Sequence, residues 1–215
     1  MRTNQNQKTL RMVQLAMLAA LIVVLQFVGT LLSGFTGLPM SFVLIPIVVG
    51  ATLLGPNEGA ILGGIFGIMT IAMGLLGFDK FTNILMNNFG VWKLVVVILL
   101  CLLKAMLAGY VSGWVYRILQ KAFKGKNQTL TAVLSSITAP VINTGVFVLG
   151  MLLFFFNDMD AIQLALEIPA EAVANATKFI FLVLAGWNFV SEFIINLVIS
   201  PVCVKVVEKI AVKKN

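Results

Sequence analysis

An all-α membrane protein, six transmembrane helices in one compact bundle with both termini cytoplasmic, is the fold class this sequence predicts, and three observations predict it. Of its 215 residues 60% are hydrophobic and only 11% are charged, and the mean hydropathy is +1.05. A water-facing domain carries about 25% charged residues, so the chain lacks the polar surface to stand in water. Apolar runs of the length a helix needs to cross a bilayer, about 20 residues, recur along the whole sequence. Eleven of the fifteen basic residues fall in three regions, and an even number of crossings puts all three on the side that retains positive charge.

The first run, 10–32, follows Arg2 and Lys8, with Arg11 at its start. It is longer than the 7–15-residue apolar core of a signal peptide and lacks a convincing cleavage site, so it reads as a retained helix. The uncharged segment Ser33-Gly34-Phe35-Thr36-Gly37-Leu38-Pro39 holds two glycines and a proline, which favour a turn. It is expected to be the first external loop. A short second span covers 38–54, with Pro46 inside, and Gly55-Pro56-Asn57-Glu58 closes it. The third, 59–76, carries glycines at 59, 63 and 67, a four-residue repeat that clears one helix face for close backbone packing. The fourth covers 91–119, the fifth 130–156 and the sixth 176–207, and the whole of 1–215 is one integral membrane domain. The basic regions are the N-terminus, the stretch Arg117, Lys121, Lys124, Lys126, and the tail Lys205, Lys209, Lys213, Lys214. The loop after the fifth span is acidic, with Asp158, Asp160, Glu167 and Glu171. The net charge of +7 is therefore mainly a topological signal, with anionic-lipid contact a stronger reading than nucleic-acid binding.

Composition also excludes chemistry. The chain has no histidine, the usual general base near neutral pH and the commonest metal ligand, which removes zinc proteases and Ser-His-Asp hydrolases. Cys101 and Cys203 lie 102 residues apart inside apolar runs and form no redox or metal pair. A phosphate-binding loop of the GxxxxGK[ST] type is absent, so ATP-driven work would need another subunit. No metal, no cofactor and no catalytic residue is expected.

Ionisable residues inside a span are costly and face a partner or a cavity. Lys104 lies about 13 residues from the outer end of the fourth span and Glu192 about 16 from that of the sixth, so both sit near mid-depth at about 1.5 Å per residue. They are placed to pair with each other or to serve a ligand. Asn188 and Asn196 flank Glu192 at i−4 and i+4, a polar stripe on one helix face. Asn143, with Thr138 and Thr144, and Gln26 are candidates to join it, and Trp187 offers an apolar wall beside Asn188. A second polar group, Asp79, Lys80, Thr82, Asn83, Asn87 and Asn88, falls in the outer loop before the fourth span, where solvation is the plain reading and capping of a binding cavity the sharper one.

These features together resemble the substrate-binding S components of energy-coupling factor (ECF) vitamin transporters. Ala16-Met17-Leu18-Ala19-Ala20 is similar to the small-xxx-small motif, here Ala16 and Ala20, with which S components dock on their coupling subunit. The segment from Leu44 through Pro46, Gly50, Gly55-Pro56 and Gly59 to Gly63 resembles the family's region between its second and third helices. Six spans in about 200 residues with both termini inside complete the likeness. The resemblance implies capture of a vitamin near the outer face of a bacterial plasma membrane, beneath a gate loop containing Gly34, Gly37 and Pro39. It also implies partnership with a transmembrane coupling subunit and two ATP-binding-cassette ATPases. Lys104, Asn143, Asn188, Glu192, Asn87 and Trp187 are the substrate-binding candidates. A buried cation, one acid and several amides suit a polar ligand with an anionic group, which favours pantothenate and leaves riboflavin, folate, biotin, a pyrimidine precursor or cobalamin open. Two other classes compete. A proton-coupled secondary transporter would use Glu192 and Lys104 as a relay, although the chain shows no inverted repeat. A membrane-embedded enzyme lacks any nucleophile constellation.

Overall fold

The computed structural model describes residues 2–36, 42–168, 175–184 and 186–212, with side chains over 7–32, 42–168 and part of 175–204. The described residues are all helical or in turns. In order they form α1 (Arg2–Thr36), α2 (Leu44–Leu53), α3 (Pro56–Leu75), α4 (Lys80–Asn87), α5 (Gly90–Ala122) and α6 (Gln128–Phe154), a 3-10 turn (Phe156–Asp158) and α7 (Met159–Ala165). One turn of helix, α8 (Ala176–Lys178), then runs into a π-helical stretch (Phe179–Leu184) and α9 (Gly186–Val212).

Four helices are long and apolar enough to cross a membrane: Gln7–Leu32 of α1, α3, α5 and α6. Leu44–Leu53 and Asn188–Val202 are shorter apolar helices. Ten residues of α2 rise only about 15 Å, half of a hydrocarbon layer. Along α5, Trp92 and Trp114 stand exposed at 72% and 44%. They are 22 residues, about 33 Å, apart, the separation expected of indoles at the two interfaces of a layer about 30 Å thick. Lys104 lies midway between them.

The packing explains the order. α2 touches α1, α3, α5, α6 and α9, and Leu44, Pro46, Ile47, Val48, Val49, Gly50 and Ala51 are all buried. It is an axial plug filling one half of the bundle. Around it α3, α5 and α6 pack side by side, and α9 closes on α6. The glycine repeat of α3 does what its spacing predicts. A Cβ on Gly59 would stand 2.6 Å from the Gly109 carbonyl oxygen, one on Gly67 would stand 2.8 Å from that of Cys101, and one on Gly63 would drive into that of Ala105. The rows run antiparallel in steps of four, so α3 and α5 meet backbone to backbone. α1 turns Leu15, Leu18, Ile22 and Leu25 onto α2 and α3 at three- and four-residue spacing, one face of a helix. Its remaining faces carry Met12, Val13, Met17, Val24 and Phe27, all exposed.

Several boundaries differ from the sequence reading. Ser33, Gly34, Phe35 and Thr36 continue α1 rather than forming a loop, while Gly37 and Pro39 lie outside the described residues. Pro56, Asn57 and Glu58 belong to the first turn of α3, with Pro56 at a position where a missing N–H costs nothing and Gly55 before it at φ +135°. The polar group read as an outer loop is mostly α4: Asp79 caps it, accepting from Thr82 N at 3.2 Å and from Thr82 Oγ1 at 2.6 Å, and Asn83 Nδ2 donates to Gly74 O at 2.8 Å. The acidic loop after the fifth span likewise contains helix, and two of its acids pair: Asp158 with Lys93, and Glu167 with Lys80 at 3.1 Å. The sixth apolar run is divided between α8, the π-helical stretch and α9.

Candidate functional site: a buried polar cluster at mid-depth

Helix α9 carries its polar residues four apart, so they stack on one face. Glu192, Asn196 and Ser200 are all buried, and Asn188 is half-buried. Asn196 Nδ2 donates to the Glu192 main-chain oxygen at 2.8 Å, and Ser200 Oγ donates to Asn196 Oδ1 at 3.0 Å. Asn143 of α6, also buried, reaches across and donates through Nδ2 to Glu192 Oε2 at 3.3 Å. Asn143 Oδ1 and Thr144 Oγ1 are buried without a hydrogen-bond partner. Such groups are rare in folded proteins.

Lys104 approaches this cluster from α5. Its Nζ sits over the Phe147 ring, 5.2 Å from the centroid, and Phe147 is one helical turn from Asn143 along α6. Among the described residues the ion pairs are Arg11–Glu58, Lys80–Glu167 and Lys93–Asp158, all at the ends of the bundle. Lys104 with Glu192 is not one of them. Among the described residues Lys104 contacts the Phe147 ring and Glu192 accepts from Asn143. The whole group lies just beyond the amino-terminal half of α2. Val43, Leu44 and Ile47 pack with Ala105, next to Lys104, and Val48 packs with Ala108, Ala139 and Ile142, next to Asn143. The amino-terminal half of α2 thus packs beside the stretches of α5 and α6 that carry Lys104 and Asn143.

The remaining candidates divide. Asn87 ends α4 and is exposed, outside the buried cluster. Thr138 Oγ1 donates to Leu134 O at 2.9 Å, a local bond within its own helix. Gln26 is half-buried on α1. The Trp187 side chain lies outside those described. Two participants were not singled out from the sequence. Ser200 was legible as the next member of the i+4 series, whereas Phe147 had no signal, since an aromatic in an apolar run reads as core. Ala16 and Ala20 are exposed on α1.

An open hollow of about 440 Å³ lies between α6, the π-helical stretch and the start of α9, lined by Val141, Thr144, Gly145, Val148, Leu149, Phe181, Gly186 and Phe189. Its walls are apolar apart from Thr144.

No curated protein sequence and no solved structure matches the chain. A family model does, over residues 10–206, nearly the full length of the bundle just described. Membership of that family implies interaction with coupling and ATPase modules. The chain belongs to the family of substrate-specific components of ECF transporters.

Proposed function

We propose that this chain is the vitamin-capturing subunit of an importer, that it crosses a bacterial plasma membrane six times with both termini inside, and that pantothenate is its substrate. The observation that carries the proposal is Lys104. A lysine at mid-depth costs about 2.5–3.5 kcal/mol to insert, whereas an ammonium over a ring recovers only about 0.5–2 kcal/mol. A ligand carboxylate supplies the balance. Asn143, one helical turn from Phe147, and Asn188 and Glu192 of α9 present amide and carboxylate groups suited to a ligand carrying hydroxyls and an amide. Pantothenate has all three features. Trp187 would wall the site, Asn87 would lie at its rim, and Gly34, Gly37 and Pro39 would belong to its gate.

In this reading Ala16 and Ala20 receive the transmembrane coupling subunit, whose two ATPases drive release inward. Small side chains let another helix approach closely there. The test is direct binding by the detergent-solubilised protein of pantothenate against riboflavin, folate and biotin, with mass spectrometry of whatever co-purifies. Saturable binding of pantothenate alone supports the assignment. Preference for another of these vitamins refutes it while leaving the capture role standing.

A further inference from the structure

Among the four long apolar helices α1 is the least enclosed: 11% of its most apolar window is buried, against 33–44% in the other three. Apolar contact alone holds a helix weakly inside lipid, because lipid tails are as apolar as the side chains they replace. A polar contact at the end that carries Arg11 adds to the packing of Leu15, Leu18, Ile22 and Leu25 in holding α1 on the bundle. Arg11 Nη2 donates to Leu54 O and to Glu58 Oε1, both at 2.6 Å. Leu54 is the carboxy-terminal cap of α2 and Glu58 lies in the first turn of α3. One guanidinium thus grips the negative end of the α2 dipole and an acid on the next helix. Behind this junction stands a second guanidinium. A Cβ at Gly55 would lie 2.5 Å from Arg117 Nη2 of α5 and 2.9 Å from Glu58 Oε2, so both side chains reach the turn between α2 and α3.

α2 is a short buried rod whose other half packs beside the Lys104–Asn143 region. A displacement of its Leu54 end is transmitted to that half, because a close-packed helix moves as a unit. Arg11 also stands five residues from Ala16 on the same helix, 54% exposed in its side chain.

We propose that Arg11 is the positioning residue that couples the exposed face of α1 to the packing beside the polar site. A partner seated on Ala16 and Ala20 shifts α1, Arg11 draws the end of α2 with it, and the packing around Lys104 and Asn143 changes. The inference rests on the docking and binding roles proposed above, and its test is readable without knowing the vitamin. Hydrogen exchange of the amides in 44–55 is followed in the purified protein with and without the purified coupling and ATPase module. This is done for the parent, Arg11→Gln and Arg11→Lys, with thermal melting of each variant alone as the control for folding.

In the parent the module is expected to change exchange in 44–55 at least threefold. Arg11→Gln should abolish that response while still binding the module, and Arg11→Lys should retain part of it. Pantothenate affinity of the isolated Arg11→Gln protein should stay within twofold of the parent, whereas a coupling of about 5–150-fold between ligand and module should fall towards one. A parent whose α2 does not respond to the module, or an Arg11→Gln protein that responds as the parent does, overturns the proposal. If pantothenate fails to bind, the exchange response still decides the role of Arg11, and the failure counts against the vitamin alone.

Discussion

Replacing Gly63 by alanine tests the backbone-to-backbone contact of α3 with α5, on which the position of Lys104 depends. The new Cβ would stand 2.6 Å from the Ala105 carbonyl carbon and 2.9 Å from Met106 Cα. Non-bonded carbons sit at about 3.5–4.0 Å, so the two helices must part by about 1 Å at that row. Because both partners are backbone, no side chain can rotate away. A gap of that size forfeits a quarter to a half of each dispersion contact, and the neighbouring rows at Gly59 and Gly67 widen with it. Overpacking of this kind costs about 1–3 kcal/mol, against a gain of up to about 1 kcal/mol from exchanging glycine for alanine in a helix. The expected net loss is about 1 kcal/mol. Gly64 supplies the control, since its Cβ would meet Met106 Cγ at 3.6 Å, an ordinary contact, and Gly64→Ala should be neutral or slightly stabilising. Thermal and denaturant unfolding in one detergent measure both, and ligand binding by Gly63→Ala should weaken as Ala105 and Lys104 are displaced. Equal stability of the two alanine variants would refute the argument.

Exchanging Ala16 and Ala20 together for leucine should abolish uptake in cells and leave ligand binding by the isolated protein intact; loss of binding would show that they pack the bundle instead. Lys104→Met should weaken an anionic ligand about 10–100-fold with little change in melting temperature, in line with about 1.5–3 kcal/mol for a hydrogen bond to a charged group, and a neutral analogue should lose less. Recovery of both binding and stability in Lys104→Met with Glu192→Gln would instead establish a structural ion pair. Asp158→Asn should cost about 1 kcal/mol, because Lys93 would keep only the Phe89 and Phe155 rings, 5.3 and 5.7 Å away; unfolding midpoints identical to the parent would remove that contact from the account.

Reading the sequence alone determines the features that repeat along one helix. The membrane class follows from the scarcity of charge and the recurrence of long apolar runs. The four-residue spacing of Gly59, Gly63 and Gly67, and of Asn188, Glu192 and Asn196, follows from the pitch of the helix and needs no partner. The candidate site was legible to that extent, as a cation on one run and a polar stripe on another. Tertiary structure decides whatever depends on how one helix is rotated against another. Lys104 and Glu192 each fall near the middle of an apolar run, yet Lys104 lies over the Phe147 ring and Glu192 accepts from Asn143, because like positions along two helices need not face the same neighbour. The central place of α2 is equally invisible in its residues: a short apolar run with a proline reads as a weak span, and only five surrounding helices make it a plug. Helices α4 and α7 are eight and seven residues long, below the length at which local propensity sustains a helix. They exist because Leu85 and Met86 of α4 meet Met159 and Ile162 of α7 in one apolar cluster, a contact between segments more than 70 residues apart.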